Sequence, residues 1–544
     1  MIAKKWVVCA AACLGGGCAV GPNYEQPGTQ MPAEFSAPQP TTQPSATQPS
    51  TTQPSANIGR WWETFNDPVL DSLIDRAVKS NLDLRVAQSR VRESRFSTDI
   101  QRAGLFPVAN ADASYTRERL SKTGFFLGGT QPPVDVSPGA TGVPNTGGPA
   151  TVTRSAGKAA AGGTSAGAAN SSVLSQLSKT EFDVFQGGFD ASWEIDVFGG
   201  VRRSIEAARA DEQAAVEARR DTMVSLLAEV ARNYIQLRGV QRELDIAADN
   251  IRSQQDTVDL TKSRFNAGLA TDLDVARAEA QVATTRATVP GLQTTAQQSI
   301  HRLGVLLGQQ PTALMEELSK ASPIPPPPPT VPVGLPSQLL RRRPDVRRAE
   351  RQLAAATARV GVATADLFPR FSLTGSLGLA AGQFKQLGRL DSVFYTIGPS
   401  VSWPIFDAGK IVANIHVQNE REGQYLAQYQ ATVLVSLEDV ENALVGYSQE
   451  QARREQLQLA VDANRRAVDL ANQLYTKGLT DFLNVLDAQR NLYASQDALV
   501  QSEQSVSSDI VALYKALGGG WEAEEQAAQQ TDVAAAQPQK GMRP

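Results

Sequence analysis

Few side chains in this sequence combine the type and spacing that chemistry requires. The 544 residues hold three cysteines, Cys9, Cys13 and Cys18, all within the first eighteen positions. Only two histidines occur, His301 and His416, and neither has a partner at metal-ligand spacing. Disulfide frameworks, Cys/His zinc centres and cysteine nucleophiles are thereby excluded downstream of Cys18. No nucleophile–base pair or carboxylate dyad stands out, so no enzyme is expected. With 52 Lys+Arg against 56 Asp+Glu and a formal net charge of −4, the chain lacks the basic field of a nucleic-acid binder. One cysteine does have chemistry available. Lys4 and Lys5, the apolar stretch Trp6 to Leu14 and the small residues that follow have the layout of a secretory signal, too short to span a bilayer. The signal ends in Leu14-Gly15-Gly16-Gly17-Cys18, where small residues admit a peptidase to the backbone and the Cys18 thiol can accept a lipid. A large aliphatic residue ordinarily stands where Gly15 is; Leu14 is one step further out. A covalent lipid on Cys18 is the one expected addition, with no cofactor and no metal, and Ala19 in place of an aspartate predicts sorting to the outer membrane of a Gram-negative cell.

The elements around these residues are long helices and short strands. Val201 to Phe265 contains no proline and one glycine, and Met223, Leu226, Val230, Tyr234 and Leu237 recur at alternating three- and four-residue spacing. Ala408 to Tyr475 behaves alike through Leu434, Leu437, Val440 and Leu444. A 65-residue helix would reach roughly 100 Å, so rods are expected, with a kink or break at Pro290-Gly291 in the helix that follows Gly268. Four segments alternate with period two instead, at about 109–117, 182–197, 371–380 and 393–405. Each suits either a half-exposed soluble sheet or a membrane strand of about 9–11 residues. No apolar run beyond the N-terminus approaches the ~20 residues of a membrane helix.

An internal duplication decides between these. Asp83-Leu84-Arg85 through Leu105-Phe106-Pro107 returns 262 positions later as Asp345-Val346-Arg347 through Leu367-Phe368-Pro369. Trp193 returns 210 positions later as Trp403, and Phe265-Asn266-Ala267-Gly268-Leu269 as Tyr475-Thr476-Lys477-Gly478-Leu479. The first copy carries an extra Gly/Ala/Ser/Thr-rich insertion at 118–180. Each copy reads helix, strand, loop, strand, long helix, tight turn, helix. Four strands cannot close a membrane barrel, which needs about eight; three chains would supply twelve. The expected division is a signal peptide over 1–17, a lipidated N-terminus and low-complexity tether over 18–58, a first repeat over 59–320, a Pro-rich connector over 321–335, a second repeat over 336–520 and a disordered tail over 521–544.

Six segments stand out along the chain: Cys18-Ala19-Val20-Gly21-Pro22-Asn23-Tyr24, Trp61-Trp62-Glu63-Thr64-Phe65-Asn66-Asp67-Pro68, Leu339 to Arg347, Phe482 to Arg490, and the strand-end segments Ile195 to Gly199 and Pro404 to Gly409. In these the chain resembles the TolC-like outer-membrane efflux channels, in their OprM/NodT-type lipoprotein branch. The resemblance implies an α+β fold: a homotrimer with a twelve-stranded outer-membrane β-barrel continuous with a long periplasmic α-barrel. It further implies a passive exit duct for small toxic compounds, served by a periplasmic adaptor and an inner-membrane pump of the RND type, in contact with outer-membrane lipid and with no nucleic acid. A duct for protein secretion, or a lipid-anchored periplasmic coiled-coil scaffold, are the alternatives. Within this frame the turns with Phe265, Gly268 and Leu269, and with Tyr475, Gly478 and Leu479, are adaptor-docking tips. Asp487 matches an acidic gate position and Asn484 departs from another. Asp274 matches a closing position whose expected arginine partner is replaced by Thr480, so Asp487 with Arg490 is expected to make the closing contacts. Arg341-Arg342-Arg343 matches a segment before a helix and is given a structural role. The 118–180 insertion becomes an unusually long extracellular loop.

Overall fold

In the computed structural model, residues 19–28, 32, 35, 36, 58–119, 181–328 and 336–522 are described. The signal peptide, Cys18, most of the tether, nearly all of the 118–180 insertion and the tail beyond Glu522 lie outside them. The helices are α1 (Pro68–Ser80), α2 (Leu82–Ala103), α3 (Gly200–Asn266), α4 (Asp272–Leu306), α5 (Met315–Leu318), α6 (Pro336–Arg342), α7 (Pro344–Ala365), α8 (Lys410–Thr476) and α9 (Phe482–Ala516). The strands are β1 (Val108–Arg119), β2 (Glu181–Ile195), β3 (Arg370–Ala381) and β4 (Val393–Ser402). Two compact units result: a helical one of residues up to Leu105, Asp196–Arg370 and Ser402 onward, and a strand unit of Phe106–Ile195 and Phe371–Val401.

The duplication is metrically close. The long helices α3 and α8 have 67 residues each, the returning helices α4 and α9 have 35 each, and α2 and α7 have 22 each. Both long helices start at a left-handed glycine, Gly199 or Gly409. A nearby carboxylate takes up their first free N–H groups: Asp196 accepts from Val201 and Arg202, and Asp407 accepts from Gly409 and Ile411. Within the helical unit α3 packs against α2 and α4 of its own repeat and also against α7 and α9 of the second.

The main core lies at mid-length of the rods. Trp61, Trp62 and Phe65, with Leu70, Leu73 and Ile74 of α1, pack on Met223 to Leu237 of α3 and on the ends of α4 and α9. Trp61 stacks on Tyr514 at 5.2 Å, and the Tyr234 hydroxyl donates to Asp67 at 2.7 Å. Trp521, assigned from sequence to a disordered tail, is buried in this core, where its indole N–H donates to the Arg342 carbonyl and Arg220 stacks over its ring. Its bulk gives the chain end something to bury, which the Ala/Gln composition after it does not.

The expected break at Pro290-Gly291 is absent, for α4 runs through both residues. Proline forfeits one backbone hydrogen bond there. On either side the helix buries Val282 and Thr285, then Ser299, Ile300 and Leu303, and this packing keeps it helical across the proline.

The strand unit is one open sheet in the order β1-β2-β3-β4, with β1–β2 and β2–β3 antiparallel. Register sets Ala111 opposite Phe189, Tyr115 opposite Phe185, Phe189 opposite Leu377 and Trp193 opposite Leu373. Asn110 faces Asp190 and Ser192 faces Thr374 on the other side. Because side chains alternate, every one of these apolar pairs falls on one face and every polar pair on the reverse.

Candidate functional site

Three surfaces carry the sequence-predicted residues: the sheet, the two tips and the helix following each tip. The apolar face of the sheet is uncovered, with Tyr115, Phe189, Trp193, Leu377, Tyr395, Ile397 and Val401 all exposed. An uncovered face of this extent marks a contact with lipid or another protein. Its reverse is polar: Asn110 donates to Asp190, and Ser372 and Ser400 share a hydrogen bond. The outer edges of β1 and β4 have no strand partner among the described residues. No described helix is long and apolar enough to cross a membrane.

The tips are built alike. After α3 the N–H of Gly268 donates to Phe265 and that of Leu269 to Arg264; after α8 those of Gly478 and Leu479 donate to Tyr475 and Leu474. Both glycines are left-handed, φ +72° and +74°, which completes a Schellman stop. Their flanks differ. Phe265 is 42% exposed, Leu269 67% and Leu479 70%, but Tyr475, the twin of Phe265, is only 3% exposed. Tyr475 therefore cannot present a docking surface as expected: it belongs to a small core with Val258, Ala278, Val282, Phe482, Val485 and Leu486. Sequence reasoning missed Leu273 and Leu483, which are exposed one turn beyond the tips at matching places in the two repeats. That matching was the available signal.

The gate residues are held apart from one another. Asp487 accepts from Asn491, while Arg490 donates to Gln281 of α4 at 2.7 Å, so the two expected to make closing contacts have different partners within the chain. Asn484 donates to Thr480 at 2.7 Å. Asp274 accepts from the N–H and hydroxyl of Thr271 in a capping box that starts α4, so its carboxylate serves its own helix. Arg264 was missed as well. It projects from the last turn of α3, stacks on Tyr475 and donates to the Thr476 carbonyl; a cation beside an aromatic residue duplicated at the second tip was the clue.

Arg343 stands at the N-cap position of α7 without a capping bond from its side chain, which instead donates to Asp345 and to Asp439 of α8. The N-terminal segment is clamped too: Arg203 donates to the carbonyls of Val20 and Gly21 and to the Asn23 side chain, so residues 20–23 lie against the head of α3. Ala19, next to Cys18, packs so closely on Gly199 that a Cβ there would meet its Cα at 2.7 Å. Among the described residues no group of His, Cys, Asp and Glu is placed to hold a metal.

Residues 156–309 and 335–519 match the family described as Outer membrane efflux protein. The solvent efflux pump outer membrane protein SrpC of Pseudomonas putida is 32% identical over 93% of this chain and 96% of its own. The pyoverdine export outer membrane protein OpmQ of Pseudomonas aeruginosa is 32% identical over 87% of this chain and 89% of its own. The solved structure of the outer-membrane channel OprN superposes with a TM-score of 0.76 at 36% identity, covering 93% of this chain and all of that one. The α+β fold of paired strands and long paired helices is the fold of these channels, and the chain belongs to the outer membrane efflux protein family.

Proposed function

We propose that three copies of this chain close into a passive exit duct for small toxic compounds, with a twelve-stranded barrel in the outer membrane. The observation that carries this is the unfinished symmetry of the single chain. Helix α3 is flanked by its own repeat and also by α7 and α9, whereas its twin α8 packs only on α6, α7 and α9 among the element pairs in extensive contact. The free flank of α8 exposes Leu434, Val435, Leu459 and Leu470, and α2 exposes Leu82, Val86, Phe96 and Ile100. A second copy that offers α2 and α4 to α8 repeats the contact α3 makes with α7 and α9. The strand unit is open in the same sense, with β1 and β4 as its edges, and in a closed ring of copies β4 pairs with the next β1. Repeated until the ring closes, this pairing turns an open sheet with one apolar face into a barrel with lipid outside and a polar bore.

The names of the relatives support small molecules as cargo, since solvent and pyoverdine are what those proteins are named for. No nucleotide site is needed in such a duct. An inner-membrane pump, of the RND type, supplies the energy, and a periplasmic adaptor bridges to the tips through Phe265, Leu269 and Leu479. Cys18 carries the lipid, and most of the mass lies in the periplasm. Reconstitution of the purified protein into planar bilayers tests the reading. Heat-modifiable trimers that conduct are expected; folded trimers that never conduct would favour a scaffold. A deletion strain should lose tolerance to solvents or drugs, and loss of export of a large protein with tolerance unchanged would point to secretion.

A further inference from the structure

A cavity of about 560 Å³ lies at the head of α3, at the opposite end of that helix from the tip, and its size is that of pockets that take small ligands. Leu105, Ile205, Ala354 and the ring of Tyr24 give it an apolar lining, beside Arg202, Arg209, Arg351 and Glu206. The lining is held in place. Arg203 grips residues 20–23, and the Tyr24 hydroxyl donates to Glu350 at 3.1 Å. The Arg351 guanidinium lies 5.6 Å from the centre of the Tyr24 ring and donates to Gln213. The charges around the cavity pair off almost completely. Arg202 meets Asp196 at 3.2 Å, Arg203 meets Glu206 at 2.7 Å, and Arg351 meets Glu350. Four arginines therefore face three carboxylates. Arg209 is the one left over: it is exposed, and its side chain has no hydrogen bond or ion pair among the described residues.

We propose that this cavity binds an anionic glycerophospholipid from the periplasmic leaflet of the outer membrane, with its phosphodiester on Arg209 and the first part of an acyl chain along Leu105, Ile205 and Ala354. This rests on the reading of the chain as an outer-membrane duct. One uncompensated guanidinium balances the single negative charge of such a headgroup, and its fork of N–H donors suits the two free phosphate oxygens. The apolar lining adds nothing for an inorganic anion but removes methylenes from water. Chain connectivity keeps the cavity close to the membrane boundary of that reading: Leu105 precedes β1 by three positions, Arg202 follows β2 by seven, and Tyr24 follows Cys18 by six. The occupant is a separate lipid and not the acyl groups on Cys18, because those bring no charge and would leave Arg209 unanswered. A phospholipid seated here touches α3, α7 and the N-terminal segment together, and so fixes the depth at which the helical unit meets the bilayer.

The test is native mass spectrometry of the full-length protein, purified in a non-ionic detergent and titrated with dioleoyl phosphatidylglycerol. Saturable uptake of one phospholipid per chain is expected. Arg209→Ala, an exposed position whose loss leaves packing intact, should weaken uptake about tenfold, the ratio that a hydrogen bond between charged groups supports. Arg209→Lys keeps the charge without the fork and should fall between the two. Dioleoylglycerol, which lacks the phosphate, should bind the wild type no better than phosphatidylglycerol binds Arg209→Ala. Inorganic phosphate at a comparable concentration should not displace the lipid, and Cys18→Ser should take up as much as the wild type. Equal uptake by wild type and Arg209→Ala overturns the proposal, as does equal uptake of dioleoylglycerol. Displacement by inorganic phosphate overturns the lipid as occupant. Uptake by Cys18→Ser alone would mean that the chain's own acyl groups fill the cavity, and overturns it as well. A wild-type protein that binds the lipid but never conducts overturns the duct instead, a different failure.

Discussion

Arg343 donates to both carboxylate oxygens of Asp345, at 3.0 and 2.6 Å, and to Asp439 at 2.9 Å. It also reaches the backbone carbonyls of Ser436 and Ala516. One buried cation therefore ties the start of α7 to α8 and to the end of α9. Burial works against the charges of the Arg343–Asp345 pair, but their mutual hydrogen bonds and attraction win, raising Arg343 and holding Asp345 below the ordinary carboxylate range. The stability Asp345 contributes is present above its unfolded value and is lost as pH falls through the depressed one. Arg343→Ala should cost about 3–5 kcal/mol, read from denaturant midpoints in detergent, because it strands buried acceptors. Arg343→Lys should restore little, since an ammonium cannot fork to two carboxylates; full recovery would mean the charge alone matters. Glu243 shows the opposite sign. It is only 9% exposed, and burial, followed by the charge of Asp497, pushes its carboxyl up to about 7. The folded chain holds that proton more tightly than the unfolded one, so stability declines as pH rises from the ordinary 4.5 through about 7 and is flat above. Glu243→Gln should match the wild type at pH 4.5 and exceed it at pH 8, by roughly 1–3 kcal/mol in thermal unfolding. No gain at pH 8 would show that assembly rehydrates this carboxylate.

At the scale of elements, the two tip turns depend on backbone conformation more than on space. A Cβ on Gly268 would meet nothing within 4 Å, so Gly268→Ala is expected to cost only the left-handed penalty, about 1 kcal/mol. Gly268→Asn should recover much of it, with thermal midpoints in the order Gly, Asn, Ala; a different order would mean the turn is held by its partners. The elements themselves were largely legible. Period-two runs become strands within a few residues of their expected ends, because a sheet with one apolar face forces strict alternation. The long helices were legible from their seams. What the sequence concealed came from tertiary context: Pro290 lies in a helix whose packing outweighs a lost bond. Tyr475 and Phe265 are twins in sequence, yet only Tyr475 has a core to enter. Trp521 opens a segment that looks structureless by composition, yet its ring is buried in the main core. Likewise, Asp487 and Arg490 are close along α9, but the chemistry of their surroundings gives each a separate partner.

For the whole molecule, membrane insertion and lipid attachment are separable in the proposed duct. The sheet supplies the apolar surface, so Cys18→Ser should abolish acylation while most of the protein still fractionates with the outer membrane; complete loss from that fraction would mean the barrel is not the main anchor. The equal lengths of the duplicated helices, 67 with 67 and 35 with 35, bear on how such a protein can evolve. Removing one turn from α3 alone would shift its tip by ~5.4 Å relative to its twin, and the seam between the hairpins would lose register. Only a deletion mirrored in α4, α8 and α9 keeps the ends level, and simultaneous events of that kind are rare. Substitutions can accumulate freely, as 32% identity to SrpC attests. The reach of these rods is in effect a single inherited quantity, guarded in each generation by the mismatch between the halves that any one-sided change creates.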